Sequence, residues 1–167
     1  SMHSLDLARI LPRSFYDRDT VIVAQAMLGT YVLRTLDDQV MIGKIVETEA
    51  YLPIDDPAAH AYKGPTKRVA ICFGDAGYTY VHRLRQYHCM DIVAEGFGRP
   101  GAVLIRALEP VDGIALMQRF RNSDDLYSLT TGPGKLCQAL HITHALNGVD
   151  VTTPGSPDDA ILYPFAN

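Results

Sequence analysis

The run Val40-Met41-Ile42-Gly43-Lys44-Ile45-Val46-Glu47-Thr48-Glu49-Ala50-Tyr51 constrains the fold of this chain more than any other stretch. Its apolar first half reads as a strand. Side chains along a strand alternate between two faces. Glu47, Glu49 and Tyr51 therefore share one face, and Val46, Thr48 and Ala50 share the other. Carboxylates are rarely buried without partners. A face carrying two of them and a phenol ring either meets solvent or builds a site. His60 follows Tyr51 nine residues later.

The rest of the chain places this strand in a mixed fold. Asp17 or Asp19 can cap a helix through Leu28, with Gly29 as its stop. Tyr31 to Leu36 reads as a strand, Asp37-Asp38-Gln39 as a turn, and Val40 to Tyr51 as the return strand of a hairpin. Asp56-Pro57 starts a short helix, with proline at the first helical position. Residues 63–68 read as loop. Tyr78 to His82, Tyr87 to Ala94 and Ala102 to Leu108 are strand-like. Val111 to Phe120 has helical spacing, and Thr131-Gly132-Pro133-Gly134 leads into a helix from Lys135 to Leu140. After residue 147 the chain is rich in Pro, Gly and Asp and reads as a loosely held tail. Strands cluster as hairpins and do not alternate with helices. The expectation is one α+β domain over residues 3–167, with a curved, mainly antiparallel sheet and flanking helices. Ser1-Met2 reads as a cloning scar and is set aside.

Composition narrows the function classes. With 167 residues, 47% hydrophobic and 20% charged, the chain suits a single globular domain. No apolar stretch is long enough for a membrane span, and no secretory signal precedes the first helix. Cys72, Cys89 and Cys137 are odd in number and form no CxxC. They read as small buried hydrophobes in a reducing compartment, which points to the cytoplasm, at a nucleoid or in a nucleus. The net charge of −4 argues against indiscriminate binding to polyanions, but the charge is uneven. Residues 63–106 hold 7 basic and 3 acidic side chains, whereas residues 1–62 hold 5 and 9. The middle of the chain can therefore supply a phosphate-contacting surface, or it is a fluctuation of charge along the sequence.

Several segments together resemble a known family. They are Glu47-Thr48-Glu49-Ala50-Tyr51, Asp56-Pro57-Ala58-Ala59-His60, Tyr78-Thr79-Tyr80-Val81 and Cys89-Met90-Asp91, then Leu104-Ile105-Arg106-Ala107-Leu108-Glu109-Pro110 and Gly132-Pro133-Gly134-Lys135-Leu136-Cys137-Gln138-Ala139-Leu140. In this order and at this spacing the chain resembles the alkyladenine DNA glycosylases, also called 3-methyladenine DNA glycosylases of the mammalian alkyl-purine type. The resemblance runs from about Arg13 to Leu140.

It implies a DNA repair enzyme that needs no cofactor or metal. No segment near the motif offers an obvious lysine nucleophile, so a monofunctional glycosylase is expected, acting as a monomer. Such an enzyme flips a damaged purine out of double-stranded DNA and hydrolyses its N-glycosidic bond. Glu49 matches the general base that activates water. Tyr51 and Tyr80 match the aromatic residues on either side of the flipped base, and His60 the pocket histidine. Arg106 matches an arginine near the lesion nucleotide, although it could instead pair with Glu47 or Glu109. Glu47 has a supporting part. Lys135, after its Gly-Pro-Gly turn, could contact a phosphate or simply begin a helix.

Two departures stand out. The family carries a Tyr-Gly hairpin tip whose tyrosine enters the duplex, and here the segment is Val81-His82-Arg83-Leu84-Arg85-Gln86-Tyr87-His88, about one residue shorter. Leu84 could be the wedge, with Arg83 and Arg85 on flanking phosphates, or His82 or Arg83 could take its place. Asp91 stands where asparagine is common, and an ionised aspartate accepts hydrogen bonds but does not donate them.

Two other classes compete. A metal-dependent hydrolase could use Glu47, Glu49 and His60, and a lesion-binding module could flip a base without excising it.

Overall fold

The computed structural model describes residues 10–52, 70–96, 98–153 and 162–165. The expected Asp56-Pro57 helix, His60 and the 63–68 loop lie outside the described residues.

The chain opens with α1 (Arg13–Tyr16) and α2 (Thr20–Met27). Asp19 caps α2, its carboxylate accepting from the backbone N–H groups of Val21 and Ile22. Gly29, at φ 85°, turns the chain out of the helix in a conformation that favours glycine. Strands β1 (Tyr31–Leu36) and β2 (Gln39–Tyr51) form the expected hairpin. Its turn residues Asp37 and Asp38 both take positive φ, 48° and 64°, which suits the twist of a two-residue hairpin. Next come β3 (Thr79–Leu84), β4 (Tyr87–Ala94), β5 (Gly101–Asp112), α3 (Ile114–Arg121), α4 (Pro133–Ala139) and β6 (Leu162–Phe165). A short 3-10 turn, Ala70–Phe73, precedes β3.

The six strands make one sheet in the order β3-β4-β5-β2-β1-β6. Every neighbouring pair is antiparallel. This is the α+β fold expected from the hairpin pattern. One face carries the main core: Val23 and Met27 of α2 and Leu136 of α4 join Val81, Met90, Ile92, Val103 and Ile105 of the sheet. Core burial of this kind contributes about 25 cal/mol per Å² of apolar surface. Gly134 lets α4 sit tightly on the β3–β4 hairpin, because a Cβ there would lie 2.7 Å from Tyr87 Cβ. Buried Arg34 closes the far end of α4, donating to the carbonyls of Leu140 at 3.0 Å and His141 at 2.9 Å.

Three elements differ from expectation. Val111 and Asp112 belong to β5, not to the following helix, because Asp112 pairs with Ile42 of β2. Residues 147–153 are not loose. Val151 is fully buried, Thr79 and Val149 share a backbone hydrogen bond, and Asp150 is bound by Arg13. Leu162–Phe165 then adds a strand to the edge of β1.

The third difference concerns β2 itself. The β2–β5 register is irregular around Glu47. Before it, Ile45 and Leu108 belong to the core. After it, Thr48 bonds the Ala24 carbonyl of α2, Ala50 packs on the core, and Val103 and Ile105 fill it. Both strands thus change phase between Ile45 and Thr48 and between Leu108 and Ile105. Val46, expected on the buried face with Thr48 and Ala50, is 43% exposed as a result.

Candidate active site

Facing residues of paired strands lie on the same side of a sheet. Glu49 faces Leu104, Leu104 faces Asp91, and Asp91 faces Tyr80, so these four form a row across β2, β5, β4 and β3. Alternation adds Tyr51, Arg106, Cys89 and His82 to that side, opposite the main core. The fold therefore gathers four expected site residues from one strand each (Glu49, Tyr80, Asp91 and Arg106) and Tyr51 beside Glu49.

Arg106 Nη1 donates to Glu49 Oε2 at 3.0 Å, with the two side chains 43% and 41% exposed. Of the partners open to Arg106 in the sequence, it takes neither Glu47 nor Glu109 but Glu49. A guanidinium–carboxylate hydrogen bond is charge-assisted and directional. Tyr51 lies two residues further along β2 on the same side of the sheet. Burial, together with a hydrogen bond to Glu49, raises its phenol well above the ordinary tyrosine range. Glu47, in the irregular stretch, is exposed, and among the described residues no ion pair reaches it.

Deeper in the site the expected Asp91 is paired with His82, which the sequence reading had only as a hairpin-tip alternative. His82 Nε2 and Asp91 Oδ1 are 2.9 Å apart, with side chains 4% and 3% exposed. The His82 ring stacks on Tyr80, centroids 4.7 Å apart at 26°. Tyr80 in turn packs with Cys72 against Ile71 and Phe73. Two signals could have found His82: its alternation with Tyr80, and a two-residue turn that brings it back near Asp91. The three cysteines are free and buried, as expected. Burial, and then the Asp91 charge, push the Cys72 thiol up to about 12.

The hairpin tip is short. Leu84 faces Tyr87 across the turn Arg85-Gln86, and Leu84 is 60% exposed. Arg83 and Arg85 are exposed beside it, and Arg85 takes φ 59°. Lys135 sits in the first turn of α4, the helix whose Leu136 packs into the core on the opposite side of the sheet from the Glu49 row. A cavity of about 340 Å³ opens beside Gln86, Tyr87, Phe120 and His141, and neither Glu49 nor Tyr51 lines it. Among the described residues no three His, Cys, Asp or Glu side chains converge as a metal-binding group. No helix among them is long and apolar enough to cross a membrane.

Residues 14–162 match the family model described as methylpurine-DNA glycosylase. A relative from Methanoculleus marisnigri is 48% identical over 157 residues, covering 89% of this chain and 81% of its own. One from Carboxydothermus hydrogenoformans is 47% identical over 144 residues, covering 86% and 75%. One from Legionella pneumophila is 43% identical over 159 residues, covering 90% and 80%. Each carries the name "Putative 3-methyladenine DNA glycosylase". With the family model spanning nearly the whole sheet and both ends of the Glu49 row inside it, the chain belongs to the methylpurine-DNA glycosylase family.

Proposed function

We propose that this DNA glycosylase flips a damaged purine out of double-stranded DNA and hydrolyses its N-glycosidic bond with a water activated by Glu49. The observation that supports this best is the Glu49 carboxylate, half-exposed, anchored by Arg106 at 3.0 Å and flanked by Tyr51. An ionised carboxylate offers about four acceptor positions. Arg106 and Tyr51 take part of that capacity, and the remainder can orient and deprotonate water. Cleavage passes through an oxocarbenium-like sugar, as in glycoside hydrolysis, and the same carboxylate stabilises that positive charge.

Tyr51 is the platform for the flipped base, where stacking is worth about 1–3 kcal/mol. The Tyr80–His82 stack forms the opposing wall. Arg106 fixes Glu49 and can reach a phosphate. His60 is carried over from the family pattern as the residue at the base edge. Leu84, with Arg83 and Arg85, enters the vacated stack, and Lys135 contacts the backbone. The described side chains near Glu49 include no lysine to act as an amine nucleophile, so the proposed reaction ends at an abasic site.

Glu49→Gln keeps the shape of the side chain and removes its basicity. The variant should lose excision by at least about a hundredfold while binding lesion-bearing duplex nearly as well as the wild type. Single-turnover release of base, read beside duplex affinity, tests this. Excision near the wild-type rate would remove Glu49 from the mechanism.

A further inference from the structure

Asp91 is the least accessible carboxylate on the site side of the sheet, its side chain 3% exposed. A carboxylate in that position costs free energy unless it is compensated. Its compensation among the described residues is partial. His82 Nε2 meets Oδ1 at 2.9 Å, and no hydrogen bond among the described residues reaches Oδ2. Arg106, the guanidinium on this side, is engaged with Glu49. Burial is the main influence on the Tyr51 phenol and on the Cys72 and Cys89 thiols. The Asp91 charge also reaches all three, after that of Glu49 at Tyr51 and against that of Arg106 at Tyr51 and Cys89. The Asp91 field therefore extends to the ring on which the base is proposed to stack. Low local dielectric strengthens that field.

We propose that Asp91 is a charge filter, selecting purines quaternised at a ring nitrogen over neutral lesions such as hypoxanthine and ethenoadenine. The inference rests on the glycosylase reading above. In DNA, N9 of a purine is already bonded to the sugar. Alkylation at N3 or N7 therefore leaves the base with a formal positive charge, and a nearby carboxylate stabilises it. Such a base departs as a neutral molecule when the C1′–N9 bond breaks and its electron pair returns to the ring. A neutral purine must gain a proton to depart as easily. An ionised Asp91 accepts hydrogen bonds and cannot supply that proton. Both lesion classes share the oxocarbenium sugar, so the ratio of their rates isolates the charge on the base. His82 positions the carboxylate and is not itself the filter.

The test uses matched duplexes carrying 7-methylguanine or hypoxanthine at one position. Base release is followed in single turnovers at subsaturating enzyme, where the rate reports the transition state relative to free enzyme and DNA. The wild type should release 7-methylguanine faster. Asp91→Asn should lower the ratio of the two rates by about tenfold or more, through loss on 7-methylguanine. His82→Gln loses a ring of the wall and should slow both lesions, but its amide can donate to Asp91 in place of the imidazole, so it should keep the ratio. Melting curves accompany each variant.

Equal slowing of both lesions by Asp91→Asn, or a ratio lost equally in His82→Gln, would overturn the filter. The wild-type ratio decides even if a variant does not fold, since a preference for hypoxanthine contradicts the filter and leaves the glycosylase reading standing. Release of neither base by the wild type would instead bring down the glycosylase reading and the filter with it.

Discussion

Arg106 reaches across from β5 to hold the Glu49 carboxylate of β2 at 3.0 Å, and both side chains stay more than 40% exposed. An ion pair this open adds only about 0–1 kcal/mol to stability. On the proposed mechanism its value is to aim Glu49. Arg106→Gln should therefore slow base release by about tenfold to a hundredfold while leaving the melting temperature nearly unchanged. Thermal melts and single-turnover rates on one preparation check this. A large fall in melting temperature with normal excision would make Arg106 a structural residue.

Leu84, 60% exposed at the end of β3, should act as the wedge that fills the gap left by the flipped base. Such filling offsets part of an unstacking cost of a few kcal/mol, on the order quoted for kinked steps. Leu84→Ala should reduce flipping of a fluorescent base analogue without lowering the melting temperature. Leu84→Tyr should restore flipping or exceed the wild type. Intact flipping in Leu84→Ala with reduced thermal stability would mean that Leu84 only packs the hairpin.

Duplex affinity should fall steeply with salt despite the net charge of −4. Arg83, Arg85 and Arg99 are all exposed in the middle of the chain. Each phosphate neutralised adds about 0.9 to the slope of log affinity against log salt. Arg83→Ala with Arg85→Ala should reduce that slope by about two in a salt titration. A flat dependence in the wild type would mean that these arginines do not meet DNA.

Asp150 ties the chain after α4 back to α1. Its carboxylate accepts from Arg13 Nη2 at 2.7 Å, the Thr152 hydroxyl at 2.6 Å and the Thr152 N–H at 2.9 Å. Burial works against its ionisation, but the Thr152 and Arg13 hydrogen bonds outweigh burial and hold the carboxyl below its usual range. A lowered carboxyl stabilises the fold above the unfolded value of about 3.9, and the contribution is lost as pH falls through the lower folded value. Asp150→Asn should cost about 1 kcal/mol at pH 7 for a partly exposed pair, and the gap to the wild type should close toward pH 3. Urea unfolding at the two pH values measures both.

Local chemistry wrote part of this fold in plain view. Tyr31–Leu36 and Tyr87–Ala94 match their expected bounds because alternation and flanking turn residues agree there. Asp19 and Gly29 bracket α2 for the same reason. What stayed hidden depends on distant partners. Val111 looks helical until Asp112 finds Ile42, and a segment near Pro164 looks irregular until β1 offers it an edge. In the site, Glu49, Tyr51 and Arg106 were legible as residue types in a motif. The choice of Arg106 for Glu49 was not, because it follows from strand register. His82 was assigned to the hairpin tip and not to the pocket, because a lone histidine near a turn signals little until its partner Asp91 is seen across the hairpin.

The paired phase change ties the lengths of β2 and β5 to each other. A deletion between Ile45 and Thr48 in β2 alone would slip the remaining strand by one residue against β5. Thr48 and Ala50 would then exchange sides with Glu49 and Tyr51, turning the carboxylate and the phenol into the core. Only a matching loss between Ile105 and Leu108 could restore the pairing. A change of length in one of these two short stretches is therefore compatible with the site only when the other changes with it.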